Sequence, residues 1–203
     1  MDDALVTTRR SLHGIAELVL AGPQYRRSGS IELRALPGGF GTVAEPSLSV
    51  SGVELVAGSE RLPLAGTFAE LASAAGVEAS ALDDVYSGGP GVRAEETIVV
   101  GAEAAARIAE AFAIGDAAMR ALAPEKRPVL WPEHFDIGID LDEVNYGVSP
   151  GDDFLAEPYA YVGPWNLQPS DLWNAPFGVA RPLTELPDST AVLTFFQSIQ
   201  SQL

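Results

Sequence analysis

Phe135-Asp136-Ile137-Gly138-Ile139-Asp140-Leu141-Asp142 places a large apolar residue at every second position, with Asp or Gly between. A period of two marks a β-strand, whose successive side chains point to opposite faces. The run therefore reads as a strand that buries Phe135, Ile137, Ile139 and Leu141 and projects Asp136, Asp140 and Asp142 from the other face. Ser30-Ile31-Glu32-Leu33-Arg34-Ala35 alternates in the same way. Shorter strand-like runs follow at 48–50, 53–56 and 61–64, and Gly58-Ser59 is placed to turn the last two into a hairpin. Glu157, Tyr159 and Tyr161 alternate with Pro158, Ala160 and Val162. Strands of this kind assemble into an antiparallel sheet with one wet face.

Between these runs the period changes. Leu12, Ile15, Leu18 and Val19 recur at helical spacing from Thr7 to Leu20, and Gly22-Pro23 is expected to end that helix. Thr67-Phe68-Ala69-Glu70 is a capping box, opening a short helix to about Ala75. The longest helix runs from Ala102 to Leu122, where Ile108, Phe112, Met119 and Leu122 form one stripe to lie across a sheet. After the 182–187 linker, Asp188 or Ser189 caps a terminal helix through Leu193, Phe196 and Ile199. The fold class is α+β: antiparallel sheet packed against a long helix, with N- and C-terminal helices. One domain over residues 1–203 is expected, with the flexible-looking Ser87–Val92 run marking an internal loop boundary near 87–95.

Composition excludes several functions. The chain has no cysteine, so disulfides, thiolate nucleophiles and iron–sulfur ligation are off the list, which fits a reducing compartment. Met1-Asp2-Asp3-Ala4 carries acids where a targeting peptide carries bases, and no apolar run approaches the ~20 residues of a membrane helix. A cytoplasmic location without a membrane partner is the expectation. The formal net charge of −16, with no Lys or Arg from 128 to 180, repels phosphate backbones. No nucleic acid partner is expected. Gel shifts of duplex DNA at micromolar protein and physiological salt are expected to show no complex, and a salt-sensitive shift would overturn that.

The glycine runs at Pro37–Thr42 and Ser87–Val92 match neither a P-loop nor a dinucleotide fingerprint, and read as turns. No G-x-S-x-G elbow is present, and the only histidines are His13 and His134. His13 and Glu17, four apart on a helix, read as a surface pair. Trp131-Pro132-Glu133-His134-Phe135-Asp136 packs an imidazole, two acids and two aromatics into a strand entrance. On a strand, His134 and Asp136 share a face with Asp140 and Asp142. They are the candidate catalytic pair and the candidate ligands of a divalent cation, the one cofactor this reading offers.

The final third differs in texture. Eleven of the 16 aromatics lie after residue 130, and nine acids fall between Arg127 and Arg181. Asn145–Asp153 and Glu157–Trp165 combine Gly and Pro turns with Tyr, Trp, Asn and acids, the mixture of a small-molecule pocket. Tyr146, Asp152, Glu157, Tyr159 and Trp165 are the candidate ligand-binding residues, expected to converge with His134 and Asp136 on one cleft. A small-molecule-binding protein is the first functional reading. A metal-assisted enzyme centred on His134, and a structural or interaction protein, are the alternatives.

The segments Leu130–Asp136, Asn145-Tyr146-Gly147, Ser149–Asp152, Glu157-Pro158-Tyr159, Gly163-Pro164-Trp165 and Trp173–Gly178 together resemble an uncharacterised family of actinobacterial hypothetical proteins. The likeness extends over nearly the whole chain, including the Pro37–Thr42 glycine loop. It implies no activity, ligand or catalytic residue.

Overall fold

The computed structural model describes residues 3–203; Met1 and Asp2 of the acidic N-terminus lie outside the described residues. The fold is α+β, with helices at the N-terminus, in the middle and at the C-terminus, and with antiparallel strand pairing. Two compact units form: the chain through Glu110 with Leu130–Phe135, and Ala111–Val129 with Asp136–Leu203. The glycine-rich stretch near 87–95 lies inside the first unit.

The first unit opens with α1 (Asp3–Gly14), a π-helical segment (Ile15–Ala21) and α2 (Gly22–Ser28) in unbroken succession. Gly22-Pro23 was expected to stop this helix, and it does not. The Gly22 N–H reaches back five residues to the Glu17 carbonyl, the wider π pattern, and the Leu18 carbonyl, five residues before Pro23 with its missing N–H, accepts instead from the Ser80 N–H at 2.9 Å. Gly22 serves close approach instead: a Cβ there would run into the Ser80 carbonyl. The left-handed Gly29 ends the helix, donating to the Tyr25 carbonyl at 2.8 Å.

Strands β1 (Leu33–Leu36), β2 (Gly39–Thr42), β3 (Leu48–Ser51), β4 (Glu54–Ala57) and β5 (Glu60–Pro63) form a meander, and Leu130 of β6 (Val129–Trp131) pairs with Leu33 on its other side. The Gly58-Ser59 hairpin is present as expected. Four of the six residues of the Pro37–Thr42 loop are strand rather than turn, because the break is confined to Pro37-Gly38. Ile31, expected in the core, is half-buried because the first strand starts only at Leu33. β1 and β2 rest on the π-helical segment, whose Ile15, Val19 and Leu20 are fully buried. The capping box opens α3 (Phe68–Ala74) with both of its hydrogen bonds made. The long helix α4 spans Ala102–Leu122 as read from its stripe.

The second unit holds β7 (Asp136–Leu141), β8 (Val144–Ser149), β9 (Tyr159–Pro164), β10 (Val179–Pro182) and α5 (Ser189–Gln200), capped by Asp188. β7 and β8 join through Asp142-Glu143, both at positive φ, the conformation of a two-residue hairpin turn. β8 and β10 were not anticipated: one was read as loop, the other ran into the supposed linker. On one face Ile137, Ile139, Tyr146, Val148 and Val162 are buried, with Gly115 of α4 against Ile137 and Val148 and Phe196 of α5 against Tyr146. No helix among the described residues is long and apolar enough to cross a membrane.

Candidate functional site

The other face of β7–β9 was read as a solvated row of carboxylates. It is not: Asp136 is 7% exposed and Gly138 is buried. What covers it is Tyr161. The register places Gly138, Gly147 and Tyr161 side by side across three strands, so their side-chain positions share one face. With no Cβ at Gly147, the phenol lies over β8, its ring carbons 2.5–2.7 Å from where a Gly147 Cβ would stand. The Tyr161 hydroxyl thereby crosses one whole strand and donates to Asp136 Oδ2. Glycine inside a strand marks such a close approach.

A second pair lies beside the first. Two residues along β9 on the same face, the Tyr159 hydroxyl donates to Asp152 Oδ2 at 2.5 Å. Asp152 Oδ1 accepts from the Phe154 and Leu155 N–H groups, which locks the loop leading into β9. Phe177 closes over both phenols, with ring centroids 6.3 Å from Tyr159 and 5.9 Å from Tyr161, and Phe154 packs against it at 5.2 Å. Asn174 holds the Phe177 loop in place, donating to the Ala180 carbonyl and accepting from the Ala180 N–H.

Burial first, and then the charge and hydrogen bonding of Asp136, push the Tyr161 ionisation well above its ordinary range. Burial and then the bond to Asp152 do the same for Tyr159. Both phenols therefore stay protonated at physiological pH and act as donors, never as tyrosinate bases. Two carboxylates held by two phenols under two phenyl rings set polar groups beside apolar surface.

The structure gathers Asp136, Asp152 and Tyr159 from the sequence candidates and adds Tyr161. Glu157 is half-buried in the loop before β9. Tyr146 projects from the opposite face, into the core against Phe196 at 5.6 Å, because it pairs with Ile139 and Val162. Trp165 stands just beyond the far end of β9, 63% exposed, with its indole N–H on Asn145 Oδ1. Six residues at about 3.3 Å each put it roughly 20 Å along the chain from Tyr159, too far for one small ligand. His134 sits in a turn, not on the strand, since Phe135 at φ 53° breaks the extended run; its imidazole is exposed, 3.9 Å from Glu133. The shared strand face that argued for a His134–Asp136 metal site is therefore absent, and no group of three or more His, Asp or Glu among the described residues is arranged to hold a metal ion.

No family model, curated protein or solved structure matches this chain.

The first unit holds a second set of buried and half-buried titratable groups, where a surface pair was expected. Glu17 is 4% exposed and accepts from the Tyr86 hydroxyl at 2.6 Å. His13 stacks on Phe135 at 5.2 Å, and its Nε2–H donates to the Pro132 carbonyl at 2.7 Å. Desolvation lowers the His13 pKa to about 4, against its bond to Pro132, with help from the His134 and Arg9 charges. Burial raises that of Glu17.

The two shifts act oppositely on stability. Between pH 6.5 and about 4 the unfolded chain protonates at His13 while the folded chain does not, so this contribution is complete above 6.5 and is lost as pH falls to about 4. Glu17 contributes below its unfolded value and loses that contribution as pH rises through its raised folded value. Replacing His13 by Gln isolates the first effect. Urea unfolding from pH 7 to 5 is expected to cost the wild type on the order of 1–2 kcal/mol more than His13→Gln; parallel curves would remove His13 from the account.

Proposed function

We propose that the protein binds a small molecule at the Asp136–Tyr161 and Asp152–Tyr159 face of its C-terminal unit, beneath Phe154 and Phe177. One observation carries this reading: a strand glycine, Gly147, gives up its side-chain space so that Tyr161 reaches a nearly buried carboxylate. Apolar residues would pack this face at lower electrostatic cost, since buried polar networks stabilise only when every member is satisfied. Polar groups converging under aromatic side chains are the ordinary make-up of a ligand site. The loops bordering it are fixed by Asp152 and Asn174, so little further ordering is required when a ligand arrives. A cysteine-free, strongly acidic chain suits a cytoplasmic binding protein without nucleic acid or membrane partners. The family resemblance adds no activity to this reading.

A thermal-shift screen of cellular metabolites against the wild type, Tyr161→Phe and Asp152→Asn tests it. A compound that raises the melting temperature of the wild type and loses that effect in both variants is the expected result. Equal shifts in all three proteins, or no stabilising compound at all, would sink the proposal.

A further inference from the structure

Along α5 runs an open-sided groove of about 450 Å³, walled by Arg181 of β10, Leu186, Asp188, Thr194, Phe195 and Ser198. Its one cation is unusual for this chain. Arg181 is the only Lys or Arg after residue 127, in a stretch rich in acids. Yet among the described residues no carboxylate lies within ion-pair distance of it, whereas Arg10, Arg26, Arg61 and Arg120 each have one. The guanidinium instead lies over the Phe195 ring, 5.6 Å from its centroid. A cation–π contact of that kind uses none of the guanidinium N–H groups as hydrogen-bond donors, which leaves them available for a bidentate acceptor.

The rest of the wall offers the opposite chemistry. Thr194 spends its hydroxyl hydrogen on the Thr190 carbonyl at 2.9 Å, and Ser198 spends its own on Phe195 at 2.8 Å, so both present lone pairs to the groove. Asp188 uses Oδ1 to cap the helix, keeping its second oxygen as a further acceptor. Leu186 and Phe195, both nearly buried, supply the apolar floor. A ligand that satisfies this wall carries a carboxylate for Arg181, a donor-rich cation for Asp188 and the hydroxyls, and an apolar side chain. A phosphate meets only one base, and its second charge faces Asp188.

We infer that this groove binds zwitterionic α-amino acids with apolar side chains. The site is separate from the tyrosine–aspartate face and does not depend on it. An open groove of this size supports an affinity of about 1 mM.

Amide resonances of residues 181–198 followed by NMR during titration with leucine, methionine and phenylalanine provide the test. Saturable shifts confined to the groove are expected with at least one of them, weakened about tenfold or more by Arg181→Gln and less by Arg181→Lys, which keeps charge without the fork. Isopentylamine, lacking the carboxylate, and 4-methylpentanoate, lacking the amine, are expected to bind more weakly than leucine. Tyr161→Phe is expected to leave binding unchanged. No groove shifts with any of the three amino acids up to about 20 mM, equal binding by the folded Arg181→Gln protein, or binding lost only in Tyr161→Phe would each overturn the inference.

Discussion

Gly147→Ala is expected to destabilise the protein by about 3 kcal/mol or more, although alanine suits a strand better than glycine by roughly 0.5–1 kcal/mol where space allows. The added methyl would stand 2.5 Å from Tyr161 Cζ and from its hydroxyl oxygen. A rigid aromatic ring flanked by Phe177 has little room to yield, so the phenol must leave its place over β8. Asp136 then keeps its nearly buried carboxylate while losing the Tyr161 donor, and a hydrogen bond to a charged group is worth about 1.5–3 kcal/mol. Overpacking adds about 1–3 kcal/mol. A double-mutant cycle checks the assignment by urea unfolding. In a Tyr161→Ala background the same Gly147→Ala change is expected to cost less than about 1 kcal/mol, since the clash and the donor are already gone. Additive effects would mean that the glycine does not exist for the tyrosine.

That arrangement explains which parts of the candidate site were readable in the sequence. Asp136, Asp152 and Tyr159 stood out as acids and aromatics among turn residues, and they do converge. Tyr161 was visible as a strand residue but not as the partner of Asp136, because a contact spanning three strands depends on register, which local pattern does not carry. Gly147 was the available signal: a glycine inside a strand run announces that something large lies across it. Tyr146 and Trp165 were grouped with the site by proximity in sequence. Period-two alternation turns Tyr146 to the other face, and strand rise removes Trp165 to the far end.

Fold was easier to read than site wherever a period or a cap was strong. The stripe on α4, the Thr67 capping box and the Gly58-Ser59 hairpin are local devices, and each appears as written. The failures share a cause. Gly22-Pro23 carries the residues of a helix stop, but tertiary packing against Ser80 and a π-type hydrogen bond carry the helix through. The His13–Glu17 spacing looked like a solvated pair, but its helix is buried on nearly all sides, so His13 finds Pro132 and Glu17 finds Tyr86. β8 was hidden by Gly147 and Pro150, residues that usually end strands.

The opposite face of the same sheet gives the second large effect: Ile137→Ala is expected to cost about 2–5 kcal/mol. Ile137 is fully buried, paired with Val148 on β8. α4 approaches so closely that a Cβ on Gly115 would lie 3.0 Å from Ile137 Cγ2 and 2.9 Å from Val148. A helix backbone seated this near cannot settle further into the space left by the lost methylenes without driving Gly115 into Val148, so the cavity stays largely open. Cost at fixed chemistry follows the volume that fails to collapse, which places this site toward the upper part of the range. Ile31 supplies the comparison, since it is half-buried and precedes its strand; Ile31→Ala is expected to cost less than about 1.5 kcal/mol. Urea unfolding of both variants at one pH, with unchanged m-values, decides between them. A cost below about 1 kcal/mol at Ile137 would mean that α4 follows the missing side chain, and that Gly115 is not the limit on its approach.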